Sequence, residues 1–225
     1  MRPAMLSAAL AAIATAVLAS AARAADSGAD MPAGPLVAPP KGYVAMCRDQ
    51  PQLCLEATRS SEAARSETGK IASTDQFQLL RKVNQQVNGR VRQMRDVKAF
   101  GVQGLWTRAG EAEFGAVGDC KAIAVEKRVE LEAAGIAPGA LYYAIAYRSD
   151  IGLHAVLVAH TSRGDLVLDS RTPHLTPWRE APYTWVRRQS QGQAFAWAMV
   201  VTIPKPVVLA SVDAPPGGSK SSERD

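Results

Sequence analysis

Apolar residues recur at spacings of three and four through Phe77, Leu80, Val83, Val87, Val91 and Met94. That is the period of a helix with one buried face, and Ser73-Thr74-Asp75 just ahead of it offers an N-cap. The pattern predicts an amphipathic helix over about 75–94, with Asn84 and Asn88 one turn apart on it. A second helix is predicted from Cys120 to just before Gly135, a residue suited to the position after a helix end. Residues 96–118, between the two, carry five glycines and no clean period. They read as a long irregular segment, a feature that is often functional. After Pro138-Gly139 the character changes to short apolar runs at 141–147, 153–159, 166–169, 183–187 and 195–203. Polar or Gly/Pro loops separate them, as expected of strands. Helices first and strands second predict an α+β domain with an antiparallel sheet. The sequence contains no internal repeat.

The two ends stand apart from this pattern. Residues 1–24 hold Arg2, an uncharged Ala-rich run, and small residues at Ala22 and Ala24. That is the layout of a secretory signal peptide, with an uncleaved anchor as the competing reading. Residues 25–40 read as a flexible leader. Residues 211–225, rich in Pro, Gly and Ser and lacking aromatics, read as a disordered tail. The folded domain is expected over 41–210. A chain of 225 residues, 47% hydrophobic and 21% charged, suits one globular domain with such appendages. Removing residues 1–24 takes away two arginines and no acid, so the net charge falls from +5 to +3. Lys and Arg form no block, which disfavours nucleic acid as a partner. No later stretch reaches the roughly 20 apolar residues that span a bilayer.

Export gives the three cysteines meaning. Cys47 and Cys54 flank a short loop, a spacing that permits a local disulfide in an oxidising compartment; two buried free thiols are the alternative. Pairing them leaves Cys120, either an inert thiol or a reactive one. Cys120 follows Gly118-Asp119 and opens the second helix, where the positive end of the helix dipole stabilises a thiolate. Gly118 is expected to let the backbone turn sharply there and to leave space for a substrate carbonyl.

A cysteine nucleophile needs an imidazole to take its proton and an acceptor to orient that imidazole. His154 lies at the start of one predicted strand and Asp169 at the end of the next, with the turn signal Thr161-Ser162-Arg163-Gly164 between them. If the two face each other, the hairpin centres between Thr161 and Ser162. Their Cβ atoms would then lie roughly 4.5–5.5 Å apart. His160 is six residues further along the strand, about 20 Å from His154, and is expected at the hairpin tip as a surface residue. His174, in a proline-punctuated loop, is expected at the surface too. Three scattered histidines give no zinc signature, and no EF-hand calcium loop is present. Trp106, Trp178, Trp185 and Trp197 are dispersed and read as core or cleft walls.

Gly118-Asp119-Cys120, the strand opened by His154, and Leu168-Asp169-Ser170 resemble the bacterial transglutaminase-like cysteine peptidases. The resemblance spans about 40–205. It includes Asn84 and Asn88, Trp106-Thr107, Lys127-Arg128 and the Cys47/Cys54 loop. It implies a papain/transglutaminase-like core, an exported, periplasmic location and a catalytic set of Cys120, His154 and Asp169. One branch of that family consists of periplasmic proteases that clip surface adhesins and bind calcium through acids flanking the nucleophile. Here Asp119 is the one such acid retained as a calcium candidate, while Lys121 and Ala122 replace the others. No cofactor is therefore expected.

The sequence thus predicts a periplasmic thiol hydrolase that cleaves a peptide or isopeptide bond in a protein of the cell envelope. Cys120 is the nucleophile, His154 the base, Asp169 its orienter, and the Cys120 backbone N–H an oxyanion donor. The same thioester could pass to an amine, making a transglutaminase-type acyl transferase. A periplasmic binding or scaffold protein with a vestigial site is the third reading.

Overall fold

The computed structural model describes residues 29–54, 69–95, 98, 101, 104–113 and 115–201. The expected signal peptide and C-terminal tail lie outside the described residues. The helices are α1 (Lys41–Asp49), α2 (Thr74–Arg90) and α3 (Cys120–Ala133). The long strands are β5 (Leu141–Arg148), β6 (Gly152–Thr161), β7 (Gly164–Leu168) and β9 (Thr184–Gln189). Shorter ones are β1 (Leu36–Val37), β2 (Arg92–Gln93), β3 (Gly110–Ala112), β4 (Gly115–Gly118), β8 (Leu175–Pro177) and β10 (Trp197–Met199). Seven strands form an antiparallel sheet in the order β1-β10-β9-β5-β6-β7-β8, and a small sheet runs β2-β4-β3. The fold is therefore α+β, with the helices ahead of every strand of the main sheet but β1, close to what the hydrophobic pattern implied.

The apolar runs of β5 and β6 are nearly continuous because both faces of the sheet are covered. Tyr143, Ala155, Leu157 and Ala159 face the helices with Leu80, Val83, Ile123, Val125 and Leu131. Tyr142, Ala144, Val156, Val158 and Val167 face the other side with Met31, Trp178 and Trp185. Neither face alternates with polar residues, so period-2 patterning is absent where burial is two-sided.

Ser73 caps α2 through a capping box: its side chain accepts from the Gln76 N–H, and Gln76 reaches back to the Ser73 N–H. The helix ends at Arg90 and not near 94. Beyond Val91 the chain turns extended and pairs Arg92 and Gln93 with Val117 and Gly118 of β4. The segment 96–118 is thus not wholly irregular, since β3 and β4 form its second half. The last strand is also shorter than predicted, running Trp197–Met199.

Two further features were absent from the sequence reading. The first is α1, whose buried Tyr43, Met46 and Cys47 follow helical spacing. Cys47, near its end, is bonded to Cys54, so the two cysteines tie the helix to the turn that follows it. The second is the chain from residue 29 onward. Composition marks it as a flexible leader, yet Met31 is buried and its N–H donates to Asp165 Oδ2 at 2.6 Å. Ala29 O accepts from the Asp165 N–H and the Trp178 indole, and β1 pairs with β10. Hydrogen bonds to its backbone, the buried methionine and the Asp30–Lys70 ion pair hold this segment, and none of them leaves a periodic signal.

The β6–β7 hairpin pairs Leu157 with Leu168 and Thr161 with Gly164. Its centre lies between Ser162 and Arg163, one residue later than predicted. Gly164 takes φ +94°, a conformation open to glycine at little cost, so the turn closes just before it. The Thr161 hydroxyl locks the turn by accepting from the Arg163 N–H and donating to Gly164 O.

Candidate active site

Asp119 and Cys120 form the start of α3. Asp119 is the N-cap: its Oδ1 accepts from the Lys121 N–H at 3.0 Å and the Ala122 N–H at 3.2 Å, while its Oδ2 pairs with the Lys121 ammonium. Cys120 is the first helical residue and the free cysteine of the chain. Gly118 precedes it for a reason of packing. Its backbone takes no positive φ, but a Cβ there would come within 2.7 Å of the Ala122 methyl. The expected sharp turn at Gly118 is therefore replaced by a close approach of β4 to the first turn of α3.

The thiol lies against β6. Cys120 Sγ is 3.5 Å from the Ala155 N–H, which points at it, and Ala155 follows His154 directly in the chain. His154 is 3% exposed, and its Nε2 is 2.7 Å from Asp169 Oδ1. With Nε2 engaged, Nδ1 is the nitrogen left for the thiol. Burial pulls the imidazolium pKa down, but the hydrogen bond to Asp169 and the contact with Cys120 outweigh it and hold the value at about 9. Burial likewise works against the Asp169 carboxylate. Hydrogen bonds from His154, Tyr183 and the Arg171 N–H prevail, and the pKa stays below the usual carboxylate value.

The His154–Asp169 contact was expected, but its geometry was not. The later hairpin centre places Asp169 beyond Leu168, the last paired residue of β7. Asp169 therefore reaches His154 diagonally from the loop after the strand, and not as a directly opposite neighbour. Helix α2 holds that loop in place. Asn88 donates to Asp169 O and Thr172 O at 2.9 Å each, and Asn84 donates to Thr172 O at 3.1 Å. From α3, the buried Lys127 ammonium donates to Leu168 O at 3.2 Å. Burial pulls the Lys127 pKa down to about 7, with the Asp169 carboxylate opposing the fall. The helical face with two asparagines and the Lys127-Arg128 pair were visible in the sequence, but their target was not.

Tyr183 left no signal in the sequence. Its hydroxyl donates to Asp169 Oδ2 at 2.5 Å, and its ring lies 5.5 Å from the His154 ring at 35°. Burial and the neighbouring carboxylate both raise its pKa, which keeps the phenol protonated and donating. The Arg148 guanidinium lies over the outer face of the same ring.

The other candidates lie elsewhere. Cys47 and Cys54 form the disulfide beside α1, and His174 is exposed on its loop. His160 was expected as a surface residue at the hairpin tip. Instead it lies within β6, and its Nδ1 is 2.8 Å from Asp165 Oδ1. Together with Asp30 it makes, among the described residues, a grouping of three ligand-type side chains.

The calcium candidate beside Cys120 is engaged within the protein. Asp119 is the acid at that place, and its two oxygens are given to the helix cap and to Lys121. A divalent cation would have to displace an ammonium ion that already neutralises this carboxylate.

The family described as bacterial transglutaminase-like cysteine proteinase matches residues 33–203 of the chain. Among solved structures, Legionella pneumophila LapG in its calcium-bound form is similar at 18% identity and TM-score 0.46, covering 69% of this chain and 93% of that one. Legionella pneumophila LapG treated with EGTA is similar at 21% identity and TM-score 0.40, covering 69% and 83%. No curated protein matches the chain.

Proposed function

The chain belongs to the bacterial transglutaminase-like cysteine proteinases and is a cysteine peptidase; from that premise we propose that Cys120, His154 and Asp169 are its catalytic triad. The observation that carries this reading is the free thiol seated against the backbone of β6 at Ala155, next to His154, whose Nε2 is 2.7 Å from Asp169. Cys120 attacks a peptide or isopeptide carbonyl as the thiolate while His154 takes the proton. The imidazolium then delivers that proton to the leaving amine, and water releases the acyl group from the thioester. Asp169 fixes the tautomer and stabilises the charged imidazole, consistent with the raised pKa of His154. The Cys120 N–H, at the helix start and outside the bonds that Asp119 makes, donates to the oxyanion in this reading.

The chain is read as exported through the segment 1–24, with its catalytic domain starting by residue 29 and not at 41, and its substrate among proteins of the cell envelope. In the periplasm the Cys47–Cys54 bond persists while Cys120 stays reduced for chemistry.

The test is to incubate protein lacking residues 1–24 with cell-envelope extract and map new N-termini by mass spectrometry. Wild type is expected to generate discrete new N-termini, and Cys120→Ala none. Adding a primary amine tests the acyl-transfer alternative: amine-capped product at the new C-terminus would mean that transfer competes with water. The same set of cleavages with Cys120→Ala would contradict the proposal.

A further inference from the structure

The sheet beside the thiol carries an apolar surface that the described residues leave uncovered. β5 and β6 pair in regular register, with Ile145 opposite Ala155 and Tyr147 opposite Leu153. Ala155 belongs to the core on the helix-bearing face, and Ile145 and Cys120 pack against that core. Side chains two residues apart on a strand share a face. Tyr147 and Leu153 therefore lie on the same face as Cys120, one step beyond Ile145 and Ala155. His154 and Ala146 take the opposite parity, toward Tyr183 and the second core. Helix α3 begins at Cys120, so it covers the face on one side of the thiol and leaves it open on the other. On the covered side Tyr143 is 1% and Leu157 0% exposed; on the open side Tyr147 is 46% and Leu153 68% exposed.

A lone exposed leucine says little. A leucine and a tyrosine paired across two strands, continuous with the surface under a nucleophile, form a shelf. Leu153 is about 7 Å along the strand from Ala155, whose N–H touches Cys120 Sγ. An extended peptide covers that distance in two residues, so a side chain close to the bond under attack falls on the shelf. Charge nearby is internally neutralised: Arg148 forms a two-pronged ion pair with Asp150 across the β5–β6 turn.

Resting on the reading that Cys120 is the nucleophile, we propose that Tyr147 and Leu153 bind a large apolar side chain of the substrate peptide next to the cleaved bond. The substrate class is therefore extended segments with an aliphatic or aromatic residue at the cleavage site. A charged side chain at that position would lose its hydration against leucine and tyrosine with no partner to replace it.

The test is protection of Cys120 from iodoacetamide, which requires neither turnover nor knowledge of which side of the bond the shelf serves. Capped pentapeptides with a central leucine or phenylalanine are compared with the same peptides carrying a central lysine or glutamate. The apolar peptides are expected to protect at concentrations about tenfold lower, the effect of burying one large side chain. In Leu153→Thr and in Tyr147→Thr that ratio is expected to fall toward one, with circular dichroism confirming the fold of each variant. Equal protection by both peptide types, protection by neither, or a ratio unchanged in both variants would overturn the proposal. The alkylation rate without peptide reports on the triad separately. A slow rate together with a preserved peptide ratio would count against the triad and not against the shelf.

Discussion

Asp169→Asn is expected to lower turnover by about four orders of magnitude, the scale seen when a triad histidine loses its orienting carboxylate. The carboxylate can only accept, so His154 must present a proton at Nε2 and keep Nδ1 free for the thiol. An asparagine whose carbonyl keeps the bond from the Tyr183 hydroxyl, at the Oδ2 position, turns its NH₂ toward the imidazole and gives up the bond from the Arg171 N–H. Nε2 then becomes the acceptor, the proton moves to Nδ1, and the base can no longer take the thiol proton. The raised pKa of His154 falls as well, because the hydrogen bond to Asp169 is its principal support. The fold should persist, since Asn88 and Lys127 hold backbone carbonyls of this loop and not the carboxylate. Cleavage of a mapped envelope peptide at saturating concentration measures the effect, and a loss smaller than about tenfold would contradict the proposed role of Asp169.

Trp197→Ala is expected to cost about 3–5 kcal/mol of stability, the range for a fully buried aromatic replaced by a methyl group. Trp197 is 0% exposed within an aromatic cluster, with ring centroids 5.3 Å from Tyr43 and 6.3 Å from Trp106. Trp106 in turn lies 5.1 Å from Tyr143 of β5. Edge-on contacts of this kind add to burial, and here they join α1, the segment ahead of β3, and two strands of the main sheet. The loss would consume much of the 5–15 kcal/mol by which a domain is commonly stable. Trp197→Phe should cost far less, because it keeps a ring in place and removes an indole N–H without a hydrogen-bond partner among the described residues. Urea unfolding measures both, and a cost near 1 kcal/mol for the alanine variant would mean that the cluster relaxes into the space.

Legibility in the sequence followed the range of the interactions. Helix α2 was readable because its burial is one-sided and its cap is local, with Ser73 and Gln76 three residues apart. The start of α3 was readable from Gly118-Asp119-Cys120, although Gly118 serves packing and not a turn. The pairing of His154 with Asp169 was legible because a hairpin brings its strand ends together even when its centre is misplaced. The error came from Gly164, whose positive φ shifts the turn and moves Asp169 off the ladder.

Contacts between distant segments left no such trace. Tyr183 reaches Asp169 from beyond β8, and Asn88 reaches it from α2, because the tertiary fold brings them there. The tryptophans looked dispersed in sequence, yet Trp106 and Trp197 meet in one core while Trp178 and Trp185 meet in the other. The chain from residue 29 looked like a loose leader because its anchors are contacts with distant residues, Asp165, Lys70 and β10, which composition does not encode.

The central claim is that Cys120 is a nucleophile activated by His154. The most direct test is the rate at which iodoacetamide alkylates Cys120 near neutral pH, read by intact mass in the wild type and in His154→Ala. The account predicts alkylation at least about tenfold faster than that of a cysteine in an unstructured peptide, and a return to the peptide rate when His154 is removed. A wild-type rate no faster than the peptide, or a fast rate that survives the loss of His154, would contradict it.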